Sequence, residues 1–255
     1  MSIKKIFYII IISVFANKAT TQTNPVAQVA TKEEVVASYK KVWDWFVKTP
    51  NYSFDLKYTS YKSHTSNEIV ESSNGYYKRF GSKYKTEAVG MKTIQNEKVK
   101  IIVDTTDKII ALTNPGTLSP NIQNTEDLVK LLENVKALMK KSFNKSTLYR
   151  IDFRKNELYE AYEFVVNEKG FLEKLIYYYS EQIEKDYGNG GDELPMEFKV
   201  KPRLEVVFFN YIIPAKITET EFTDKSIVLA DNRKVTLLEK YKTFQIKDYR
   251  FKEKK

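Results

Sequence analysis

The chain has 255 residues and a formal net charge of +9, from 42 lysines and arginines against 33 aspartates and glutamates. It contains no cysteine, so the sequence predicts neither a disulfide framework, nor a thiol nucleophile, nor a membrane anchor on a lipidated cysteine. This length can bury a sizeable core in one large β domain or two small ones.

The first sixteen residues have the pattern of a cleavable secretory signal. Two lysines precede the apolar run 6–15, and small residues follow at Ala16 and Ala19. A membrane-spanning helix needs roughly 20 apolar residues, so this run is too short for one. We expect residues 1–16 to be the signal, with cleavage after Ala19 or a buried N-terminal element as the alternatives. Residues 17–30 would then form a flexible polar tail.

A signal of this kind predicts an exported protein. An exported chain without cysteine suits a bacterial periplasm better than a eukaryotic secretory route, and the extracellular space is the alternative. Export and the lack of a nucleic-acid-binding motif make nucleic acid an unexpected partner. The dispersed basic charge is typical of a solvated surface, with an anionic membrane surface or an envelope protein as the alternative surface partner.

The first predicted element of the folded part is an amphipathic helix that begins at Thr31. Thr31 and Glu34 form the capping-box pattern, in which both side chains satisfy free backbone amides at a helix start. Pro50 ends the helix, because proline cannot continue it. Apolar side chains at helical spacing form one stripe: Val35, Val36, Tyr39, Val42, Trp43 and Phe46. The stripe either packs against a sheet or closes an apolar cavity.

Six predicted strands follow this helix. In the first, Tyr52, Phe54, Leu56 and Tyr58 alternate with polar residues, so one face of the strand is apolar. Short polar turns separate the strands, which favours an antiparallel meander because parallel strands need long crossovers. The predicted strands are 52–58, 68–78, 84–89, 91–95, 99–103 and 109–113.

The second half of the chain is predicted to begin with another helix and to continue in strands. Apolar residues at helical spacing predict the helix over residues 126–142, with Leu131 and Val135 in its stripe. A polar loop is expected over residues 181–202. The predicted strands are 148–153, 158–166, 171–179, 204–209, 216–222, 226–229, 234–238 and 243–249.

This order of elements predicts a mainly β (α+β) fold in a single domain over residues 31–255. The apolar stripes of the two helices need a partner, and the apolar face of a sheet provides one. We therefore expect one curved antiparallel sheet, or unclosed β-barrel, with the two amphipathic helices in its mouth.

Four segments carry a resemblance to a known family: the first helix, the aromatic strand 51–58, the segment 75–80 that begins with glycine, and the strand 98–104 that ends in aspartate. In the order of these elements and in their residue patterns, residues 31–180 resemble the LolA/LolB-like lipoprotein carriers of Gram-negative envelopes. The resemblance implies an unclosed antiparallel barrel whose helices lie over an apolar cavity for acyl chains. The family's tryptophan-containing strand is absent here, and Arg79 is the nearest candidate for its cavity arginine.

No motif for catalysis or metal binding stands out. His64, the one histidine, falls in a polar run where we expect an exposed turn. The sequence has no phosphate-binding glycine loop, no HExxH and no GxSxG. Asp186, Asn189, Asp192 and Glu193 lie close together in a glycine-rich stretch. Their spacing differs from that of a Ca²⁺-binding EF-hand loop, so a solvated loop is expected, with a Ca²⁺ site as the alternative. The sequence therefore predicts a non-enzymatic protein without metal or cofactor.

Two functions are compatible with these features. One is a carrier that binds lipid or the acyl chains of a lipoprotein in an apolar cavity. The other is a structural or interaction module of a bacterial envelope or secretion machine, with a filled core and no cavity. A contiguous apolar pocket on the order of several hundred Å³ favours the carrier. The residues predicted to line this cavity, or an ordinary core in its place, are Trp43, Phe46, Phe54, Leu56, Leu131 and Val135.

Overall fold

The computed structural model describes residues 26–116, 125–154, 158–186, 196–231 and 234–250. The predicted secretory signal lies outside these residues. The helices are α1 (Lys32–Lys48) and α2 (Thr125–Leu131). In chain order the strands are β1 (Gln28–Val29), β2 (Asn51–Tyr61), β3 (Ile69–Phe80), β4 (Lys83–Ala88), β5 (Met91–Gln95), β6 (Lys100–Asp104), β7 (Ile109–Thr113), β8 (Val135–Phe143), β9 (Ser146–Phe153), β10 (Tyr159–Asn167), β11 (Leu172–Tyr179), β12 (Gln182–Asp186), β13 (Met196–Val200), β14 (Arg203–Ile212), β15 (Val228–Asp231), β16 (Lys234–Leu237) and β17 (Gln245–Asp248).

Thirteen of the strands in the described part form one sheet, in the order β1-β8-β9-β10-β11-β14-β2-β3-β4-β5-β6-β7-β17. The sheet is unclosed, with β1 and β17 at its two edges. Neighbouring strands are antiparallel except at one edge, where β17 runs parallel to β7. The predicted mainly β (α+β) class, with a curved unclosed sheet and two helices, is confirmed, although the parallel edge strand departs from the expected antiparallel meander.

Helix α1 forms where the sequence predicts it and packs on one face of the sheet, which we call the inner face. Its start carries both hydrogen bonds of the capping box: the Glu34 amide donates to Thr31, and the Thr31 amide donates to Glu34. The stripe is buried against the main core, and burial of each large apolar side chain contributes roughly 1.5–3 kcal/mol. The fully buried members of the stripe are Val35, Tyr39, Val42 and Phe46. No helix of the described residues has the length and apolar character needed to cross a membrane.

A second core lies on the opposite, outer face of the sheet over β5, β6 and β7. The described residues after Lys216, which we call the C-terminal segment, cover this face and include β17. Two ion pairs join the start of this segment to the sheet: Glu219 pairs with Lys83 of β4, and Glu221 pairs with Lys78 of β3 at 2.8 Å. The buried residues of this outer core are Ile94, Val99, Ile101, Val103, Ile110 and Leu112 from the sheet side, with Ile227 and Tyr241 from the C-terminal segment.

The predicted second helix over residues 126–142 is wrong in its second half. The helix α2 ends at Leu131, a short 3-10 turn follows, and β8 begins at Val135. In β8, Leu138 is buried while Met139 is exposed, as alternation across a strand requires. Pairing with β9 along the length of β8 stabilises this strand more than the helical spacing of its apolar residues favours a helix.

Three smaller predictions also differ from the structure. The strand Gln28–Val29 pairs with β8, so the sheet begins within the segment 17–30 that was predicted as a flexible tail. Strands β12 and β13 pair as a hairpin inside the predicted loop 181–202. Residues 216–222, predicted as a strand, form no strand and end in a 3-10 turn, Glu219–Phe222.

Candidate ligand-binding cavity

A cavity of about 410 Å³ opens on the inner face of the sheet. Its wall comes from the strands β2, β3, β4, β5, β6, β10, β11 and β14. Within the described residues, no helix contributes to this wall. Pockets that hold small ligands usually have volumes of roughly 300–1,000 Å³, so the cavity has the size of a site for a small molecule or a lipid chain.

Small inner-face side chains make room for the cavity. Thr86 of β4 pairs with Thr93 of β5, and Ala88 pairs with Met91. Gly75 of β3 occupies the same row as Ala88 and adds no side chain at all. A closed core would need large apolar side chains at these inward positions to reach normal packing density. The sheet therefore leaves volume free above β3, β4 and β5.

One end of the cavity is apolar and merges with the main core. Leu56 of β2 pairs with Phe208 of β14, and Val206 of β14 pairs with Leu175 of β11. All four side chains are buried, so this end of the cavity offers a hydrocarbon surface. Methylene groups placed here would be transferred from water to hydrocarbon, at about 0.8 kcal/mol each.

Six tyrosines supply most of the aromatic wall: Tyr58, Tyr77, Tyr84, Tyr159, Tyr177 and Tyr179. Burial raises the pKa of the Tyr84 phenol to about 12. Burial also raises the pKa values of Tyr77 and Tyr177 above the ordinary value. These hydroxyls therefore stay protonated and uncharged at neutral pH, and the wall combines ring surface with hydroxyl groups.

The opposite end of the cavity is more polar, and it carries a positive charge. Thr86 and Thr93 lie near Lys100 of β6, whose side chain is half-buried. Lys100 is the one charged residue among the described residues of the wall. The cavity thus runs from a buried hydrocarbon end to a cationic end.

The six residues predicted from the sequence to line a cavity fall in different places. Leu56 is part of the cavity wall. Phe46 and Phe54 are fully buried in the main core, and the remaining three pack against that core as partly buried residues. These last residues are Trp43, Leu131 and Val135. The structure therefore brings all six to the main core and only Leu56 to the cavity.

Arg79, the residue nearest to the cavity arginine that the resemblance implies, anchors the end of α1. Its guanidinium donates hydrogen bonds to the carbonyl oxygen of Phe46 and to that of Gly81, the latter at 2.9 Å. The Phe46 carbonyl belongs to the last turn of α1, where carbonyls lack helical partners and carry partial negative charge. Arg79 is buried beside the Tyr52 ring.

A second, polar cleft of about 480 Å³ includes His64, Arg150 and Tyr178. Arg150 of this cleft is already paired, since it lies 2.8 Å from Glu163 and stacks on the Tyr178 ring. His64 is half-buried here, with Nε2 at 2.8 Å from the Tyr179 carbonyl oxygen, so the exposed turn predicted for it is wrong. The sequence places His64 in a polar run, but the contact that buries it comes from a distant strand.

The described residues contain no group of three histidine or carboxylate side chains that could hold a metal ion. The carboxylates that the sequence suggested for Ca²⁺ lie around the stretch 187–195, outside the described residues, and the side chain of Asp186 is likewise not described.

Comparison with solved structures finds chains of related architecture. A DUF1329 family protein from Desulfovibrio piger matches with a TM-score of 0.34 and 11% identity, over 75% of this chain and 98% of its own. A LolA superfamily protein from Nitrosomonas europaea matches with a TM-score of 0.28 and 8% identity, over 78% and 100%. A domain from Vibrio parahaemolyticus, described as an outer membrane lipoprotein-sorting protein, matches with a TM-score of 0.29 and 9% identity, over 75% and 97%.

The second of these matches carries the name of the family that the sequence resembles. No protein-family model and no curated protein sequence matches the chain.

Proposed function

We propose that the chain is an exported, non-enzymatic carrier that holds an amphipathic ligand, a lipid or the acyl chains of a lipoprotein, in the inner-face cavity. The observation that supports this most directly is a contiguous cavity of about 410 Å³ where an interaction module would have a filled core. The signal-like N-terminal pattern supports export, with the periplasm as the location.

The driving force for binding would be burial of hydrocarbon at the apolar end of the cavity. About ten buried methylene groups would contribute about 8 kcal/mol. That equals the free energy of a micromolar complex before the cost of association is subtracted. Tyrosine hydroxyls along the wall would keep the free cavity wettable, which suits a carrier that must also release its ligand.

Filling the cavity with a large side chain tests this function. Thr93 points into the cavity from β5, so Thr93→Trp would occupy the ligand volume. Lys92→Trp is the matched control, because Lys92 is adjacent and faces the outer side of the same strand. Each full chain would be expressed with its own N-terminus, purified from a bacterial envelope and weighed by native mass spectrometry.

We expect bound lipid on the wild type and on Lys92→Trp, and at least a tenfold lower bound fraction on Thr93→Trp. Melting temperatures of the three proteins would show that each is folded. The proposal fails if the wild-type protein carries no lipid and takes up none from vesicles. It also fails if Thr93→Trp, correctly folded, carries as much lipid as the wild type.

A further inference from the structure

Lys100 differs from Arg79 and Gln95, two polar residues of its row across the inner face. Strand pairing places Arg79, Tyr84, Gln95 and Lys100 side by side on β3, β4, β5 and β6. Gln95 is held in two hydrogen bonds with the backbone of Gly116, at 3.0 and 3.1 Å. The protein's own backbone therefore satisfies the polar groups of Gln95, as backbone carbonyls satisfy those of Arg79.

The ammonium group of Lys100 forms no ion pair or hydrogen bond with the residues that the structure describes. By contrast Lys78, Lys83 and Lys174, on the outer face, are each paired with a glutamate. Among the described residues of the cavity wall there is also no carboxylate to balance the charge of Lys100. Within the part of the chain that the structure describes, the positive group at this end of the cavity is therefore uncompensated.

The distance between the two ends suits a chain-like ligand. Four strand-to-strand steps separate Leu56 on β2 from Lys100 on β6. At roughly 4.8 Å for each step, this corresponds to about 19 Å along the sheet. A ligand lying across the strands could therefore place a hydrocarbon tail at Leu56 and Phe208 and a head group at Lys100.

We propose that the cavity selects single-chain amphiphiles whose head group carries an anionic oxygen, a carboxylate or a phosphate, and that Lys100 binds this head group. The inference rests on the carrier function proposed above and adds the charge and the orientation of the ligand. A charge-assisted hydrogen bond from the ammonium to an anionic oxygen is stronger than a neutral one, and a half-buried site screens it less than bulk water does.

The test compares probes that share a dodecyl or lauroyl chain and differ in head-group charge. Dodecanoate and dodecyl phosphate are anionic, 1-monolauroylglycerol is neutral, and dodecyltrimethylammonium is cationic. Binding to the delipidated full-length protein is measured by titration calorimetry below the micellar concentration of each probe. The variants are Lys100→Gln, Lys100→Arg as a charge-conserving change, and Lys98→Gln, which removes an exposed charge two residues away.

We expect the wild type to bind both anions about tenfold more tightly than the neutral glyceride, a difference of about 1.4 kcal/mol, and to bind the cation least. Lys100→Gln should remove this preference and leave binding of the neutral probe unchanged. Lys100→Arg and Lys98→Gln should keep it. If only one anion is preferred, the head group is of that kind, and the proposal holds for it.

Two results would overturn the inference while leaving the carrier function standing. One is equal affinity of the wild type for the anionic and neutral probes. The other is a loss of affinity in Lys100→Gln that is the same for all probes, which would assign Lys100 a purely structural role. If the wild type binds none of the probes but carries lipid in native mass spectrometry, the single-chain inference fails and the carrier function stands; if it binds neither probes nor lipid, both fail.

Discussion

Gly75 shows at the scale of one residue how closely β3 and β4 approach beneath the cavity. A Cβ atom at this position would lie 2.5 Å from the Glu87 carbonyl oxygen and 2.7 Å from the Ala88 Cβ. The first of these neighbours is backbone, so it cannot move aside without disturbing the ladder between the two strands. The backbone of Gly75 is not in the left-handed region, so another residue could adopt its conformation. Glycine is required here because a side chain would not fit between the two strands.

Gly75→Ala should therefore destabilise the protein by about 1–3 kcal/mol, the usual cost of overpacking. Gly116→Ala is the matched control, because a Cβ there would meet no atom of the described residues within 4 Å. We expect that variant to stay within about 0.5 kcal/mol of the wild type. The measurement is chemical denaturation of all three proteins. Equal stability of Gly75→Ala and Gly116→Ala would show that β3 and β4 are further apart than described.

At the scale of elements, α1 is fixed to the sheet at both of its ends. Near its N-terminus, Glu34 accepts a hydrogen bond from Lys140 of β8 at 2.5 Å, and this contact lowers the pKa of the Glu34 carboxyl group. At its C-terminal end, Arg79 of β3 binds the Phe46 carbonyl. The buried stripe lies between these anchors, so α1 is a built-in part of the main core and the cavity lies beside it.

The C-terminal segment is the element that covers the outer core. Without it, β5, β6 and β7 would expose a row of isoleucine, leucine and valine side chains to water. Ile227→Ala removes a fully buried side chain of this segment and should cost about 2–5 kcal/mol, because it leaves a cavity. In the control Ile212→Ala, the original side chain is 55% exposed, and we expect a change within about 0.5 kcal/mol.

Denaturant titration measures this difference, and binding of a hydrophobic dye reports whether the outer core becomes exposed. If Ile227→Ala is as stable as Ile212→Ala, the C-terminal segment does not seal the outer core.

The sequence predicts elements well where local signals agree with tertiary contacts. Thr31 and Glu34 form the expected capping box, and β5 and β7 have the predicted bounds. The prediction fails for Val135–Phe143, where the apolar spacing fits a helix and the chain forms a strand. Helix propensity is a weak preference of less than 1 kcal/mol per residue, and pairing with β9 overrides it. No local signal in these residues reports the presence of β9.

At the scale of the whole molecule, the sheet buries apolar side chains on both faces, and the cavity lies on the inner one. The sequence suggests aromatic residues of α1 and β2 as the cavity wall, yet most of them fill the main core. The better signal is the alternation of Thr86 and Ala88 in β4 and the position of Thr93 in β5, where inward positions hold small residues. To recognise that these small residues lie side by side, one must know the register of several strands, which a single sequence does not supply.

The buried tyrosines give the whole molecule a predictable response to alkaline pH. A tyrosine in an unfolded chain has a pKa of about 10, and burial raises the pKa of Tyr52 and of Tyr84 to about 12. The folded state therefore holds these protons more tightly than the unfolded state. Their contribution to stability is fully present below pH 10 and is lost as the pH rises through about 12.

We accordingly expect the free energy of unfolding to be nearly flat from neutral pH to about pH 9 with respect to these groups, and to fall between about pH 10 and 12. Denaturation curves across that range measure the fall, and tyrosinate absorbance reports the ionisation. Tyr84→Phe removes one of the shifted phenols, so its stability should decline less steeply with pH than that of the wild type. A Tyr84→Phe curve parallel to the wild-type curve would mean that the Tyr84 phenol is solvated in the folded state, because only a phenol that ionises equally in both states leaves the slope unchanged.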